Sequence, residues 1–260
     1  MNLIDTHCHL NDPAFGDTLP DVIERAKTAG VCALIVPAYD IDSLERTAKL
    51  AALYPDSIYP AYGLHPWFLN ERVDWDILRS FIKRRDAVAA GEIGLDFSPE
   101  CPPAEIQIPA FIRQLDIAAE FGLPVLIHCR KAYEQLYDIL KPYKGRVKGV
   151  LHSYSGGKDA MARFTELGFY IGFSGSVTRR NARKYHRTAE NVPPDRMLLE
   201  TDAPSIATET TVASAVEPRH VLEVAQKIAE LRNLPLEEIC RLSTENALRL
   251  FNRLPRTLEY

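Results

Sequence analysis

A chain of 260 residues with 46% hydrophobic and 25% charged side chains has the composition of a soluble globular protein and the length for a sizeable core. No stretch approaches the ~20 uninterrupted apolar residues of a membrane helix, and Met1-Asn2-Leu3-Ile4-Asp5 lacks the basic start and apolar run of a secretory signal. Thirty-one basic against 35 acidic side chains give a formal charge of −4, which argues against coating nucleic acid by bulk charge but leaves room for a locally basic site.

Short apolar, β-branched runs recur in chain order: Leu3-Ile4, Val31 to Val36, Ile58 to Leu64, Val88 to Ile93, Val125 to Ile127, Val147 to Leu151, Phe169 to Phe173 and Met197 to Leu199. Segments with helical spacing lie between them, such as Val22, Ile23, Ala26 and Ala29, stopped by Gly30, or Phe111, Leu115, Ile117 and Ala118, stopped by Gly122-Leu123-Pro124. Pro218 to Leu231 and Leu236 to Leu250 read as two final helices completing an outer layer. Continuous rather than alternating apolar strands are buried on both faces, and helical crossovers are what parallel neighbours require. Eight such units predict a (β/α)8 TIM barrel forming one domain over residues 1–260. An open doubly wound sheet is the rival, but no glycine-rich dinucleotide fingerprint follows the first strand.

The five cysteines (Cys8, Cys32, Cys101, Cys129, Cys240) are scattered, suggesting neither a disulfide framework nor a paired-cysteine zinc site. A reducing cytoplasm is the expected location. Cys8 and Cys129 flank candidate ligands, but nothing in their positions makes them nucleophiles.

Polar residues cluster where the predicted strands end: Asp5-Thr6-His7-Cys8-His9, Gly91-Glu92-Ile93-Gly94-Leu95-Asp96, His128, His152 and Glu200-Thr201-Asp202. In a barrel all of these lie at the C-terminal mouth. His7 and His9, two apart, would point to one face of an extended strand and could grip one ion. Four of the seven histidines end predicted strands, with carboxylates at two further ends, a pattern better explained by a metal site than by independent structural roles. His186 and His220 fall in predicted helices and read as structural.

Imidazole plus carboxylate without thiolate suits zinc, manganese, nickel or iron and disfavours an oxygen-cage calcium site. Six candidate ligands (His7, His9, Glu92, His128, His152, Asp202) exceed what one tetrahedral catalytic ion takes. Two ions about 3.5 to 4 Å apart, bridged by Glu92, would use them all. Such a pair acidifies water for hydrolysis, and Asp202 could take the proton.

These motifs, with Gly63-Leu-His-Pro66 and Glu200-Thr-Asp-Ala-Pro204, resemble the TatD family of metal-dependent deoxyribonucleases within the amidohydrolase superfamily, and in particular its YjjV-type bacterial members. The resemblance runs in order from residue 3 to about residue 252. It implies an enzyme hydrolysing DNA phosphodiester bonds with two divalent ions drawn from zinc, magnesium, manganese, nickel or iron. His7, His9, Glu92, His128, His152 and Asp202 match the family's metal positions, and His65 matches its histidine near the scissile phosphate. Related superfamily members carry a carbamylated lysine on strand four, whereas this chain has Glu92 and no lysine from Val88 to Asp96. Two stretches depart from the family pattern: Val216-Glu217-Pro218 replaces an Asn-x-Pro element, and Phe97-Ser98-Pro99 replaces an aromatic pair. Both lie off the metal positions and bear on substrate preference.

A phosphodiester needs positive groups near the metals. Arg130 and Lys131 follow His128, and Arg179, Arg180, Arg183 and Lys184 follow the seventh strand. Ser153-Tyr154-Ser155-Gly156-Gly157 could offer hydroxyls and backbone N–H groups to a phosphate, and Tyr154 and Trp67 could stack bases. A narrow mouth favours strand ends or single strands over the middle of a duplex. Two alternatives stay open: hydrolysis of an amide, lactone, ester or phosphate monoester at the same centre, and a barrel that binds without turnover.

Overall fold

In a computed structural model, which describes residues 2–70 and 72–255, eight parallel strands form one sheet in sequential order. They are β1 (Leu3–Asp5), β2 (Val31–Pro37), β3 (Ile58–Tyr62), β4 (Ala89–Asp96), β5 (Val125–Arg130), β6 (Gly149–Leu151), β7 (Tyr170–Phe173) and β8 (Met197–Leu199). The crossovers carry α1 (Leu19–Thr28), α2 (Ile41–Leu53), α3 (Trp75–Ile82), α4 (Ala104–Phe121), α5 (Tyr133–Leu140), α6 (Lys158–Glu166) and α7 (Arg183–Asn191), and α8 (Val221–Arg232) and α9 (Leu236–Leu250) follow β8. This is the (β/α)8 barrel that the strand rhythm predicts. No helix among the described residues is long and apolar enough to cross a membrane.

The seam between first and last strands is closed by residues just beyond them. Thr6 N–H donates to Leu199 O at 3.1 Å, Asp202 N–H to His7 O at 2.9 Å, and His9 N–H to Ala203 O at 2.8 Å. The Thr6 hydroxyl reinforces the seam by donating to Leu199 O at 3.0 Å.

Two apolar layers follow from the strand composition. Ile4, Ile35, Ala61, Ala89, Leu126, Val150, Tyr170 and Leu198, drawn from all eight strands, share one buried cluster, as only interior-facing residues of a closed sheet can. A second, larger cluster joins the opposite faces of the strands to the helices. α8 lies in the outer layer as expected, but α9 does more: its Ala247 and Leu250, with Phe251 and Leu254, pack on the interior cluster and seal the bottom of the barrel. Its apolar end is drawn there because the interior residues would otherwise face water.

Local signals account for the element ends. α2 starts in a capping box, with Ser43 N–H donating to Asp40 Oδ1 at 2.6 Å and Asp40 N–H to Ser43 Oγ at 2.8 Å. α4 stops at Gly122 with φ 62°, a left-handed conformation that glycine adopts without a Cβ penalty. The departure at Val216-Glu217-Pro218 is a tether: the Glu217 carboxylate accepts from Arg25 of α1 at 2.7 and 2.8 Å, and its N–H donates to His220 Nδ1 at 2.8 Å. His220 thus caps a turn, and His186 on α7 meets Val177 O at 3.0 Å, the structural roles expected of both.

Candidate active site

The mouth gathers side chains from both ends of the chain. β1 stops at Asp5, so His7 and His9 lie beyond the strand rather than on it. The same-face expectation nevertheless survives, because Cys8 N–H donates to Ile35 O at 3.1 Å and its side chain turns into the helix-side core. His7 and His9 instead bring their Nε2 atoms to 3.2 Å of each other.

Glu92, 2% exposed on β4, stands at the centre and divides its two oxygens. Oε2 lies 3.2 Å from His7 Nε2 and 3.4 Å from His9 Nε2, while Asp202 Oδ1 is 3.3 Å from His9 Nε2. Oε1 lies 3.2 Å from His128 Nδ1, 2.8 Å from His152 Nε2 and 3.4 Å from His65 Nε2. His128 Nδ1 and His152 Nε2 are 3.3 Å apart. Two foci result, sharing one carboxylate.

The spacing tests whether a metal fits. Tetrahedral ligands bound at about 2.0–2.1 Å stand roughly 3.3 Å from one another. The ligand atoms of His7, His9 and Asp202, of His7, Glu92 and His152, and of His65, Glu92 and His128 each fall within 4.8 Å. Imidazole lone pairs aimed at one another at this range repel unless a proton or a cation lies between them. The site therefore suits divalent metal binding.

Electrostatics support the same reading. Burial alone would raise the Glu92 carboxyl, but the imidazoles of His152, His65, His7 and His128 outweigh it and hold the group well below the usual carboxylate range. Burial likewise opposes ionisation of Asp202, yet the hydrogen bond from His9 and the charges of His152 and His7 keep it low. Both carboxylates are ionised near neutrality. His65 goes the other way: burial, only partly offset by Glu92, pushes it down to about 4. Its Nδ1 accepts from Trp67 N–H at 3.1 Å, capping a short turn at 66–68, so the neutral ring carries its proton on Nε2, facing Glu92.

Three carboxylates behind the cluster have roles that no spacing in the sequence announces. Asp96 Oδ2 meets His128 Nε2 at 3.0 Å and accepts Trp67 Nε1–H at 2.7 Å, while Oδ1 accepts the backbone N–H of Ser98 at 2.9 Å, which fixes this carboxylate. Glu200 Oε1 lies 3.5 Å from His152 Nδ1 and accepts from Ser153 N–H. Asp5 accepts from His7 N–H at 3.2 Å and from the Thr201 N–H and hydroxyl at 3.0 and 2.6 Å, locking the first strand end to the last. Their only signal was proximity to the ligand motifs. Gly94 shows how tightly these strands meet: at φ 150°, a Cβ there would stand 2.0 Å from His128 O.

The expected substrate contacts fare unevenly. Arg130 is exposed and lines a polar lobe of about 230 Å³ with Ser153, Ser155, Ser176 and Tyr185. Tyr154 is not available for stacking: it is 2% exposed, packs edge-on against Tyr133 and donates its hydroxyl to Gly157 O at 3.0 Å. Of the backbone donors in its segment, the Ser153, Tyr154 and Ser155 N–H groups are taken by Glu200, Gly172 and Tyr133. Lys131, Arg179, Arg183 and Lys184 are exposed, and Arg180 pairs with Glu209 at 3.0 Å. A larger lobe of about 460 Å³ opens over the foci, lined by Tyr39, Trp67, Phe68 and the acidic Asp12 and Asp40. Tyr39 and Phe68 were missed because they come from different loops.

A closed (β/α)8 barrel whose mouth gathers imidazoles around shared buried carboxylates is the architecture of a metal-dependent hydrolase. The family model described as TatD related DNase matches residues 4–252, and the chain belongs to that family. It is 36% identical over 252 residues to the uncharacterized metal-dependent hydrolase YabD of Bacillus subtilis, covering 96% of this chain and 98% of that protein. It is 30% identical over 275 residues to the human protein named deoxyribonuclease TATDN3, covering 100% of this chain and 98% of that one. The crystal structure of YjjV, a TatD homologue from Escherichia coli, superposes with a TM-score of 0.91 at 35% identity, covering 97% and 98% of the two chains.

Proposed function

We propose that this protein, as one barrel domain over residues 1–260, is a deoxyribonuclease that hydrolyses DNA phosphodiester bonds from a strand end, with two divalent ions in its mouth. The observation that carries the reading is the division of Glu92 between two ligand sets, Oε2 toward His7 and His9 and Oε1 toward His128 and His152. The family description and the name of the human relative support DNA as the substrate class.

His7, His9, Glu92 and Asp202 would hold one ion, and Glu92, His128 and His152 the other, drawn from zinc, magnesium, manganese, nickel or iron. When bound, such ions supply the acidification of water and the positive charge that an attacked phosphate needs. Asp202, ionised and 8% exposed at the lobe, takes the proton from the attacking water. Neutral His65 donates from Nε2 to a phosphate oxygen and leaves its Nδ1 to hold the turn. Arg130 adds a positive charge at the rim. The lobe of about 460 Å³ is in the range of a single-ligand pocket, which favours ends over duplex interiors.

The test is an assay of purified, metal-loaded protein on end-labelled single-stranded DNA beside small esters, a lactone, an amide and a phosphate monoester. Stepwise shortening of the DNA is expected. Rapid turnover of a small substrate with no DNA cleavage overturns the proposal.

A further inference from the structure

The mouth is chemically two-sided. The larger lobe is walled by three aromatic rings: Tyr39 and Phe68 have centroids 5.3 Å apart, and Trp67 flanks His65 at 5.2 Å. Trp67 and Phe68 remain 51% and 46% exposed. Large apolar side chains left open side by side in a cleft mark a surface that a ligand covers. Trp67 is also pinned, because its indole N–H is committed to Asp96 at 2.7 Å and the ring cannot turn away without breaking that bond. The Tyr39 hydroxyl accepts from Arg46 at 3.0 Å, fixing the second ring by its polar end. Trp67, anchored by its edge and half exposed, offers a ring on which a planar heterocycle can stack, beside Phe68 and a Tyr39 ring whose centroid lies 5.7 Å from the Arg46 guanidinium.

Charge then orients the substrate. Among the described residues no lysine or arginine lines the aromatic lobe; Asp12 and Asp40 do. Arg46 is engaged by Tyr39 and lies 3.6 Å from the Asp40 carboxylate. A further phosphate on this side would meet carboxylates. Across the foci, Arg130 with Ser153, Ser155 and Ser176 offers a cation and hydroxyls instead.

Resting on the phosphodiesterase reading, we propose that Tyr39, Trp67 and Phe68 form a subsite for the base of the terminal nucleotide being released, while the remaining strand leaves over Arg130. The wall recognises a nucleobase face and the serine–arginine lobe the next phosphate. Stacking of this kind tolerates every base, because each has a π-face.

The chain has two tryptophans, Trp67 and Trp75, so a Trp75→Phe variant reports Trp67 emission alone. Metal-loaded protein is titrated with deoxyadenosine monophosphate and with deoxyribose 5-phosphate, which lacks the base, by fluorescence and calorimetry. Quenching by the nucleotide only is expected, with binding about tenfold tighter than that of the sugar phosphate. Trp67→Ala should erase this preference, and Trp67→Phe, which keeps a ring but loses the Asp96 bond, should retain part of it. Arg130→Ala should weaken a trinucleotide more than the mononucleotide. Equal affinity for the two phosphates in the unmutated protein, or an undiminished preference in Trp67→Ala, overturns the subsite. If the base preference is found but no DNA is cleaved, the subsite stands and the phosphodiesterase reading falls. DNA cleavage without base preference gives the reverse.

Discussion

Asp96 Oδ2 and His128 Nε2 stand 3.0 Å apart, with the other ring nitrogen of His128 directed at Glu92. An ionised carboxylate only accepts, and burial of Asp96 is outweighed by its hydrogen bonds from His128, Ser98 and Trp67. His128 therefore keeps its proton on Nε2 and frees the Nδ1 lone pair for a metal. Replacing the carboxylate by an amide removes both the charge and the fixed tautomer. Asp96→Asn should lower divalent metal affinity by about 10–100-fold, read by competition with a chromophoric chelator. Unchanged affinity would show that Asp96 does not position the ligand.

Glu92 serves both foci, so its loss should affect both at once. Glu92→Gln should carry less metal by elemental analysis and lose at least about 100-fold in activity. Asp202→Asn, which removes the proposed proton acceptor, should lower kcat by about 10²–10⁴-fold. Activity unaltered in both variants would show that the reaction does not depend on these two carboxylates.

Removing metal leaves buried imidazoles and carboxylates to balance one another alone. Chelation should lower the melting temperature, and restoring an ion to 100 times its Kd should return about 2.7 kcal/mol, roughly 5–10 °C for a chain of this size. Calorimetric scans across an ion titration check this. A melting temperature indifferent to ions would show that the folded protein binds no cation in preference to the unfolded chain.

The Arg25–Glu217 pair predicts a pH effect of known sign. Hydrogen bonds from Arg25, opposed by partial burial, hold Glu217 below its ordinary value of 4.5. A depressed carboxyl stabilises the fold above that ordinary value, and the contribution fades as pH falls through the folded value. Glu217→Gln should lower the melting temperature by about 1–3 °C at pH 7, the difference from the unmutated protein vanishing in acid. A difference that grows on acidification would contradict the assignment.

Burial pushes every cysteine thiol upward, Cys101 to about 11 and Cys8 and Cys129 further from ionisation. Because the thiolate is the reactive form, iodoacetamide at pH 7.5 should label the native protein slowly, with activity retained. Mass spectrometry of the intact protein reads the outcome. Fast modification of Cys129 with inactivation would contradict this and give that thiol a role beside His128.

Much of this architecture is written in local pattern. The eight strands declare themselves because residues such as Val31–Val36 are buried on both faces and carry no alternation, and the ligands because polar residues end those runs. What requires three dimensions stays hidden. Asp96 sits on the same strand as Glu92, yet its role depends on His128 and Trp67, 32 and 29 residues away. Tyr154 reads as a surface aromatic beside serines and glycines, but its hydroxyl finds Gly157 O and the ring sinks inward. α9 shows amphipathic spacing, which identifies a helix without saying that its end plugs the barrel floor.

The closure of the seam has a bearing on the order of events during biosynthesis. His7 emerges from the ribosome early, whereas Asp202 and the Leu199 carbonyl that braces Thr6 appear nearly two hundred residues afterwards. The His7–His9–Asp202 focus cannot exist on a nascent chain that lacks its eighth strand. A cation held there would consequently bind late in maturation, only once the two ends of the sheet have found each other.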